Sequence, residues 1–370
     1  MSNIIFYNSY EIFVNPKNKS KLDSIPGGQN FSDYYKIFSY NISSHDRTGV
    51  IQGSIKTEAL PICVMPELRP CPDLNQIIDE RALFLMHKAK HTGRKLAIMY
   101  SGGVDSTVVL AAFVKNFSDK DIRENIVVLL SHDSISENPN FYYDYVIKKF
   151  NCISTFKFPY YLGHDDYIFL SGENADQLFG SQVADQYITM FPRTDLFKPV
   201  EDISGNFIEW LNIRIGNKTL AEKWCNLFDK HRKSAPIKIN TFYEMLWWIN
   251  FTCKWQSVYV RMLGYCKNPN TLKLEENYTS FFVSEDFQLW SLNNSDILLN
   301  NIDMPYKYHL KKYVIGVTKD ESFMTKPKVG SLANAVRQKL APMTIDSNMN
   351  FNYDYPDGTM FNMDNSFVDF

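Results

Sequence analysis

Two short stretches of this sequence combine glycines, hydroxyls and carboxylates in a pattern suited to phosphate chemistry. The first, Ser101–Ser106, reads Ser-Gly-Gly-Val-Asp-Ser and lies between an apolar run of strand length and a helix-like pattern. A strand that enters a helix through a tight turn presents free main-chain N–H groups and a helix dipole to an anion. Gly102 and Gly103 allow close approach of the backbone, the flanking serines add hydroxyl donors, and Asp105 supplies a carboxylate suited to phosphate-bound Mg²⁺.

The second stretch, residues 170–180, reads Leu-Ser-Gly-Glu-Asn-Ala-Asp-Gln-Leu-Phe-Gly and follows another apolar run. Its two acids, Glu173 and Asp176, are three residues apart and so share one side of a first helical turn. Each stretch also has an ordinary structural interpretation. The first is compatible with a simple strand-to-helix turn, and the second with a capping box or a solvated helix start. No Gly-x-x-x-x-Gly-Lys-Ser/Thr loop occurs, so the common Walker type of phosphate loop is excluded.

The elements around these stretches alternate between strand-like and helix-like patterns. Strands are predicted at Leu96–Tyr100, Ile126–Leu130, Ser154–Phe158 and Tyr167–Ser171. Helices are predicted at Leu74–Lys90, from the glycine turn to about Phe117, at Phe141–Phe150 and over most of 181–300. Such alternation predicts an α/β fold with a doubly wound parallel sheet, Rossmann-like, whose ligands bind at the carboxyl ends of the strands.

Three segments are predicted from composition and patterning. Residues 1–73 form a small β-rich module that ends in a proline-rich linker, and 74–342 form the α/β domain with a helical C-terminal part. Residues 343–370 contain no Lys or Arg and interleave Asp with Phe and Tyr, which indicates an acidic aromatic tail that is either disordered or ordered by docking on a basic groove. This division leaves the chemistry to the middle segment.

Composition narrows the class of protein. The 370 residues are 45% hydrophobic and 15% aromatic, with a formal net charge of −2. That balance gives no global attraction to nucleic acid or to an acidic membrane surface. The six cysteines show no Cys-x-x-Cys pair, and we find no signal peptide and no apolar run of membrane length. A soluble protein of the reducing cytoplasm is therefore expected.

Both stretches resemble motifs of the ATP pyrophosphatase (PP-loop) superfamily. Ser101–Ser106 matches its pyrophosphate loop, and residues 170–180 are very close to the Ser-Gly-Glu-Gly-Ala-Asp-Glu-Leu-Phe-Gly-Gly pattern of asparagine synthetases. A third island consists of Leu310–Tyr313 followed by Thr325–Gly330, and its second part is similar to the Arg-Pro-Lys-Glu-Gly-Phe loop that closes the active site in that family. The chain therefore looks like a synthetase domain of the asparagine synthetase and β-lactam synthetase type. The resemblance spans roughly Leu74 to Leu340.

The resemblance implies ATP and Mg²⁺ as cofactors and gives roles to individual residues. Asp105 and Asp176 match the family's metal-binding aspartates, Glu173 matches its catalytic glutamate, and Lys328 matches its catalytic lysine. The residues implied to contact the nucleotide are Ser101, Gly102, Gly103, Asp105, Ser106, Gly172 and, as an adenine contact, Leu130.

The implied activity is an ATP-dependent amide ligase that forms AMP and pyrophosphate. A substrate carboxylate is adenylated and then attacked by ammonia or an amine. Ser2 stands where glutamine-dependent members have a nucleophilic Cys, and the N-terminal module is too short for their glutaminase. Free ammonia, an amine substrate or a separate amine-supplying protein is therefore expected.

Two alternatives stay open. One is another PP-loop adenylating enzyme, such as a tRNA-modifying one, although the chain shows neither a basic face nor a signature cysteine pair. The other is a nucleotide-binding protein that has lost catalysis. Asn174 and Gln177 replace the family's Gly and Glu, and only Pro159–Asp166 separate the last two predicted strands. A parallel crossover normally needs a dozen residues or more, so this short segment leaves the sheet order in doubt.

Overall fold

A five-stranded, all-parallel sheet forms the centre of the fold. The computed structural model describes residues 4–7, 37, 45–51, 57–265, 276–298, 305–327, 344–346 and 351–352. The strands of this sheet lie in the order β4-β3-β2-β5-β6, with β2 Lys95–Met99, β3 Ile126–Leu130, β4 Asn151–Ser154, β5 Tyr167–Ser171 and β6 Tyr278–Ser280. The predicted α/β class with a parallel sheet is confirmed.

Helices make up most of the rest of the described chain. The α-helices in the first half are α1 Leu74–His91, α2 Val104–Asn116, α3 Asp119–Asn125, α4 His132–Glu137, α5 Pro139–Phe141, α6 Ile147–Lys149, α7 Phe158–Leu162, α8 Ala175–Phe179 and α9 Gln182–Tyr187. Those that follow are α10 Val200–Ile215, α11 Lys218–Lys233, α12 Phe242–Cys253, α13 Trp255–Val260, α14 Glu285–Asn293 and α15 Tyr308–Thr318. A π-helical turn, Tyr142–Val146, joins α5 to α6.

Short 3₁₀ helices connect many of these elements. They are Pro61–Cys63, Thr155–Lys157, Arg193–Phe197, Arg261–Tyr265, Phe281–Val283, Ser295–Ile297 and Glu321–Met324. Each supplies one or two turns, which is the usual length of a 3₁₀ segment.

The middle strands have apolar centres because helices cover both faces of the sheet. The side chains of Leu96, Ala97 and Ile98 in β2 are fully buried, as are those of Ile168, Phe169 and Leu170 in β5. Strands buried on both faces read as continuous hydrophobic runs, with no alternation of polar residues. β2 pairs in parallel with both β3 and β5. The chain runs outward from β2 to β3 and β4, and then crosses to the other side of β2 to form β5 and β6. The sheet therefore has its topological switch point between β2 and β5.

The third predicted strand, Ser154–Phe158, is wrong in position. The strand is Asn151–Ser154, and a 3₁₀ turn begins directly after it, where the Ser154 hydroxyl accepts from the N–H of Phe156. β4 lies at the edge of the sheet and three of its four residues are exposed, so it lacks the apolar signal of the inner strands. The alternating Phe residues that follow it gave a false strand pattern.

Because β4 ends at Ser154, its connection to β5 is longer than the sequence predicted. The connection from β4 to β5 covers residues 155–166, a length that a parallel crossover allows. It contains α7, which packs against β5 and β2 and carries the chain behind the sheet. The sequence analysis also did not predict β6, a three-residue strand in a region predicted to be helical. β6 is fully buried and too short to show a period.

The aromatic helix α12 anchors the helical part of the chain. All twelve of its residues are buried, including Trp247 and Trp248. Its first turn is fixed by a capping box in which the Thr241 hydroxyl accepts from the N–H of Glu244. The Glu244 carboxylate in return accepts from the N–H of Asn240 at 2.8 Å and from the N–H of Thr241 at 2.7 Å. A buried carboxylate therefore satisfies two backbone donors that the helix itself cannot pair.

Substitution of Glu244 by Ala should destabilise the protein. Glu244 itself is only 4% exposed, and its removal leaves the N–H groups of Asn240 and Thr241 without their side-chain acceptor. Unpaired buried donors cost about 1–3 kcal/mol, and we expect a loss of that order in the free energy of unfolding. Urea unfolding measures it. The control is Glu222→Ala on the exposed face of α11, which we expect to lie within about 0.5 kcal/mol of wild type. Equal effects for the two variants would contradict the capping role.

A second, antiparallel sheet joins the two ends of the described chain. β1 Ile4–Tyr7 pairs with β7 Thr344–Asp346, which pairs with β8 Phe351–Asn352. In the predicted β-rich module, the apolar and aromatic run at residues 4–7 predicts a strand, which is confirmed. The sequence also predicts strands at 10–14, 35–40 and 49–55. Of these the structure describes only residue 37 and residues 49–51, none of them in a strand, and most of the acidic tail likewise lies outside the described residues.

Candidate functional site

The two motif stretches meet at the carboxyl ends of neighbouring strands. Ser101–Ser106 follows β2 and leads into α2, while residues 172–174 follow β5 and lead into α8. Because β2 and β5 are adjacent and parallel, their loops leave the same edge of the sheet. The point between them is the switch point, which is where ligands bind in open α/β sheets. The structure thus brings the two predicted motifs together.

The loop Ser101–Ser106 is held in shape by its own hydroxyls. The Ser106 hydroxyl accepts from the N–H of Ser101 at 3.1 Å and donates to the carbonyl oxygen of Gly103 at 3.2 Å. The Ser101 hydroxyl lies 3.0 Å from the Ser106 hydroxyl and accepts from the N–H of Gly103 at 3.3 Å. Gly103 is the N-cap of α2 and gives it no side-chain cap. The loop therefore leaves the start of a thirteen-residue helix without a capping side chain, as an anion site requires.

Two glycines allow this loop to pack tightly. Gly102 has a φ of +79°, and a Cβ there would lie 2.3 Å from the carbonyl oxygen of Ser134 and 2.7 Å from Cβ of Glu137. Gly172 brings the second loop onto the first, because its Cβ would lie 3.2 Å from the amide nitrogen of Ser106. A side chain at either position would push the loops away from α4 or from each other.

Lys307 joins the two predicted metal-binding aspartates. Its Nζ lies 2.5 Å from both carboxylate oxygens of Asp105 and 2.6 Å from Oδ1 of Asp176. The lysine side chain is 2% exposed, so the ammonium is enclosed by the site. The hydroxyl of Tyr306 donates to the same Oδ1 of Asp176 at 2.6 Å. The carboxylates of the first and second motifs therefore converge on one cationic centre.

The pKa values of Asp105, Asp176 and Lys307 are shifted because two carboxylates share one ammonium. Burial raises the pKa of Asp105 to about 6, opposed by Lys307 and reinforced by Asp176. Desolvation also acts to raise the pKa of Asp176, but Lys307 and Tyr306 outweigh it and hold that pKa below its ordinary value. Burial acts to lower the pKa of Lys307, yet the two carboxylates raise it, so the ammonium stays charged.

Glu173, the predicted catalytic glutamate, lies beside this pair and is fixed by two contacts. Its carboxylate oxygen Oε2 accepts from the guanidinium of Arg261 in an ion pair. The hydroxyl of Ser280, at the end of β6, donates to the main-chain carbonyl oxygen of Glu173 at 2.5 Å. The missed strand β6 therefore helps to position the second motif. The carboxylate keeps a second oxygen, Oε1.

The two substitutions in the second motif are compatible with its geometry. Asn174 stands where the family has Gly and adopts a left-handed conformation with φ of 68°. Asparagine tolerates this conformation better than most residues with a side chain, and its Nδ2 donates to the carbonyl oxygen of Trp255 at 3.0 Å. Gln177 is 1% exposed and belongs to the packed interior of α8. Neither change removes a charge from the contacts between Lys307 and the two aspartates.

Of the remaining predicted residues, only Leu130 lies in the part of the chain that the structure describes. Leu130 is the last residue of β3 and is half-buried against the core. Lys328 lies outside the described residues. Two residues before it, the Nζ of Lys326 donates to Oδ1 of Asn138 at 2.9 Å, next to Glu137 that contacts Gly102. The described part of the third island therefore contacts residues that pack next to the loop Ser101–Ser106.

These residues fit a divalent metal ion. The donors that converge are carboxylate oxygens from Asp105 and Asp176, the ligand type that Mg²⁺ prefers. That both reach a single ammonium within 2.6 Å shows that they can face one small cation. A metal carried by a nucleotide would find its remaining ligands in phosphate oxygens and water.

Sequence reasoning missed the cations of this site. Lys307 and Arg261 contact the predicted acids directly, and burial lowers the pKa of Lys254 nearby to about 8, with Asp176 opposing. The three come from segments with no recognised motif. The available signal was charge balance, because two carboxylates predicted to meet at one edge of the sheet favour a cation between them.

A scan against protein-family models and a search of curated proteins found no match to this chain. The described helices were also tested for membrane-spanning character, and none of them combines the length and the apolar character that a bilayer crossing needs.

Proposed function

We propose that this protein is an ATP-dependent, AMP- and pyrophosphate-forming amide ligase of the asparagine synthetase-like type within the PP-loop superfamily. It would adenylate a substrate carboxylate and pass the acyl group to ammonia or an amine. One observation carries the proposal: the carboxylates of Asp105 and Asp176, from loops after two adjacent parallel strands, meet at one cationic centre beside an uncapped helix start. Acids so placed suit a metal-bound triphosphate.

In the first step, a substrate carboxylate oxygen attacks the α-phosphorus of ATP and pyrophosphate leaves. The main-chain N–H groups at the start of α2 bind the leaving phosphates, and the loop Ser101–Ser106 keeps those groups aligned. Asp105 and Asp176 would hold Mg²⁺, which when bound would stabilise the negative charge that develops on the leaving group. Lys307 adds a positive charge at the same edge. The protein's part is positioning and electrostatics, as in other phosphoryl transfers.

In the second step, an amine attacks the acyl-adenylate and AMP leaves. Oε1 of Glu173 takes the proton that the amine loses, while Arg261 holds Oε2 and so fixes the direction of the carboxylate. Lys328, by its match to the family's closing loop, would stabilise the tetrahedral oxyanion. An amine must lose its proton to form an amide, so a positioned carboxylate base suits this step.

A nucleotide-binding protein without catalysis is the second candidate. One observation favours it: the Arg261 guanidinium occupies one oxygen of the proposed base, Glu173. If that pair is purely structural, the protein binds ATP and does not turn it over. A tRNA-modifying PP-loop enzyme has no comparable observation among the described residues.

The Glu173→Gln variant separates these functions, because activation needs no base and amide formation does. We expect exchange of labelled pyrophosphate into ATP, with a fractionated metabolite extract as the source of acid, to stay within about tenfold of wild type. Formation of AMP with ammonium should fall by about 10²–10⁴-fold. The control is Glu276→Gln, at the edge of the fold before β6. Loss of both activities together would contradict the assignment of Glu173 as base, and no exchange by wild type with any fraction would favour the binding protein.

A further inference from the structure

The charges of Lys307 and the two aspartates bear on whether a divalent metal ion can bind beside them. Asp105 and Asp176 together carry two negative charges, and the ammonium of Lys307 offsets one of them. If a divalent cation joined this group with Lys307 still in place, the two carboxylates, the ammonium and the cation would together carry a net charge of +1 in a site that encloses the lysine almost completely. An enclosed net charge is costly unless a further partner neutralises it. The triphosphate of a nucleotide is such a partner.

The position of Lys307 is set by its backbone conformation and by the packing of the elements around it. Lys307 precedes α15 directly and has a left-handed backbone with φ of 55°. α15 packs against α2, the helix whose first turn carries Asp105. The neighbouring Tyr306 lies with its ring against Gly180, where a Cβ would be 2.5 Å from the ring. These packed elements aim the ammonium at the carboxylates.

We propose that Lys307 makes divalent-metal binding at Asp105 and Asp176 conditional on nucleotide. In the free protein its ammonium occupies the carboxylates that a metal needs. A nucleotide phosphate group offers the ammonium other oxygens, so the carboxylates become available to the metal that arrives with the nucleotide. The inference takes the identity of the anion, a nucleotide triphosphate, from the proposed function. The competition between lysine and metal stands on the contacts alone.

Removal of the lysine should therefore uncouple the two ligands. The Lys307→Met variant keeps the length of the side chain but leaves two neighbouring carboxylates without their shared cation. We expect it to bind Mn²⁺, measured by electron paramagnetic resonance without nucleotide, at least about tenfold more tightly than wild type does. In the presence of Mn²⁺ its affinity for α,β-methylene-ATP, measured by calorimetry, should fall at least about tenfold. This analogue cannot be cleaved at the α–β bond, so turnover does not enter.

The matched control is Lys311→Met, one turn further along α15. Its Nζ contacts only the main-chain carbonyl oxygens of Met324 and Lys326 among the described residues, at 2.8 and 3.4 Å, so its Mn²⁺ affinity should equal that of wild type. Adding Asp176→Asn to Lys307→Met should remove the gain. If Lys307→Met does not fold by circular dichroism, Lys307→Gln, which keeps hydrogen-bond donors, replaces it.

Two results overturn the inference: unchanged Mn²⁺ affinity in the folded Lys307 variant, or a gain that survives Asp176→Asn. The proposed function fails differently. If wild type does not bind α,β-methylene-ATP with Mn²⁺, the nucleotide role is wrong, while a gain in Mn²⁺ affinity on loss of Lys307 would still support the competition between lysine and metal.

Discussion

Replacement of Asp105 by Asn should lower ATP–pyrophosphate exchange by about a thousandfold or more. The carboxylate contacts Lys307 through both oxygens and faces the same centre as Asp176. An amide keeps the shape but removes the negative charge that a phosphate-bound metal requires. A thousandfold corresponds to about 4 kcal/mol of transition-state stabilisation, which is within what a metal ion at a leaving group provides.

This variant should fold, since burial already raises the pKa of Asp105 towards the neutral form. Thermal unfolding checks this before the assay. The control is Asp121→Asn on α3, whose carboxylate pairs with the surface lysine Lys90 at 2.6 Å. It should exchange pyrophosphate as wild type does. Near-normal exchange by a folded Asp105→Asn protein would contradict the assignment of the metal site.

Replacement of Gly102 by Ala should lower the free energy of unfolding by about 3 kcal/mol and distort the loop. Two costs add. The φ of +79° disfavours any residue with a Cβ, and that Cβ would lie 2.3 Å from the main-chain oxygen of Ser134. Because this oxygen belongs to the backbone of α4, no side-chain rotation relieves the overlap, and overpacking of this kind costs about 1–3 kcal/mol by itself.

Chemical denaturation gives the stability change, and calorimetry with α,β-methylene-ATP gives the effect on nucleotide binding. Gly205→Ala is the control, because Gly205 lies inside α10 with nothing within 4 Å of the added Cβ. There alanine should stabilise the helix by about 0.5–1 kcal/mol. If Gly102→Ala is as stable as Gly205→Ala, the close packing of the first loop on α4 is wrong.

The inner strands of the sheet were predictable because burial on both faces gives them a continuous apolar run. Ile126–Leu130 and Tyr167–Ser171 were predicted with the bounds that the structure shows. The edge strand Asn151–Ser154 was misplaced because its exposed residues carry no such signal. β6 joins the sheet by pairing with β5, through contacts between residues more than a hundred positions apart in the sequence. Its three residues are also too few to show the periodicity by which a strand is predicted.

The residues of the candidate site likewise divide into those that the local sequence identifies and those that it does not. Glycines and acids with special backbone or charge requirements sit in short motifs, so Gly102, Asp105, Glu173 and Asp176 were identified as candidates from sequence. Lys307 became visible only in three dimensions, since long-range packing of α15 on α2 brings its ammonium to the two aspartates. Lysines are common surface residues, and nothing in the local sequence distinguishes this one.

The most direct test of the proposed function follows ATP labelled at the α-phosphate. The protein is incubated with this ATP, Mg²⁺, ammonium and a fractionated metabolite extract, and Asp105→Asn is run in parallel. The proposed ligase predicts labelled AMP that depends on one fraction and on Asp105, and that fraction then contains the acid substrate. Labelled ADP would contradict cleavage between the α and β phosphates, and tight ATP binding with no AMP from any fraction would contradict catalysis itself.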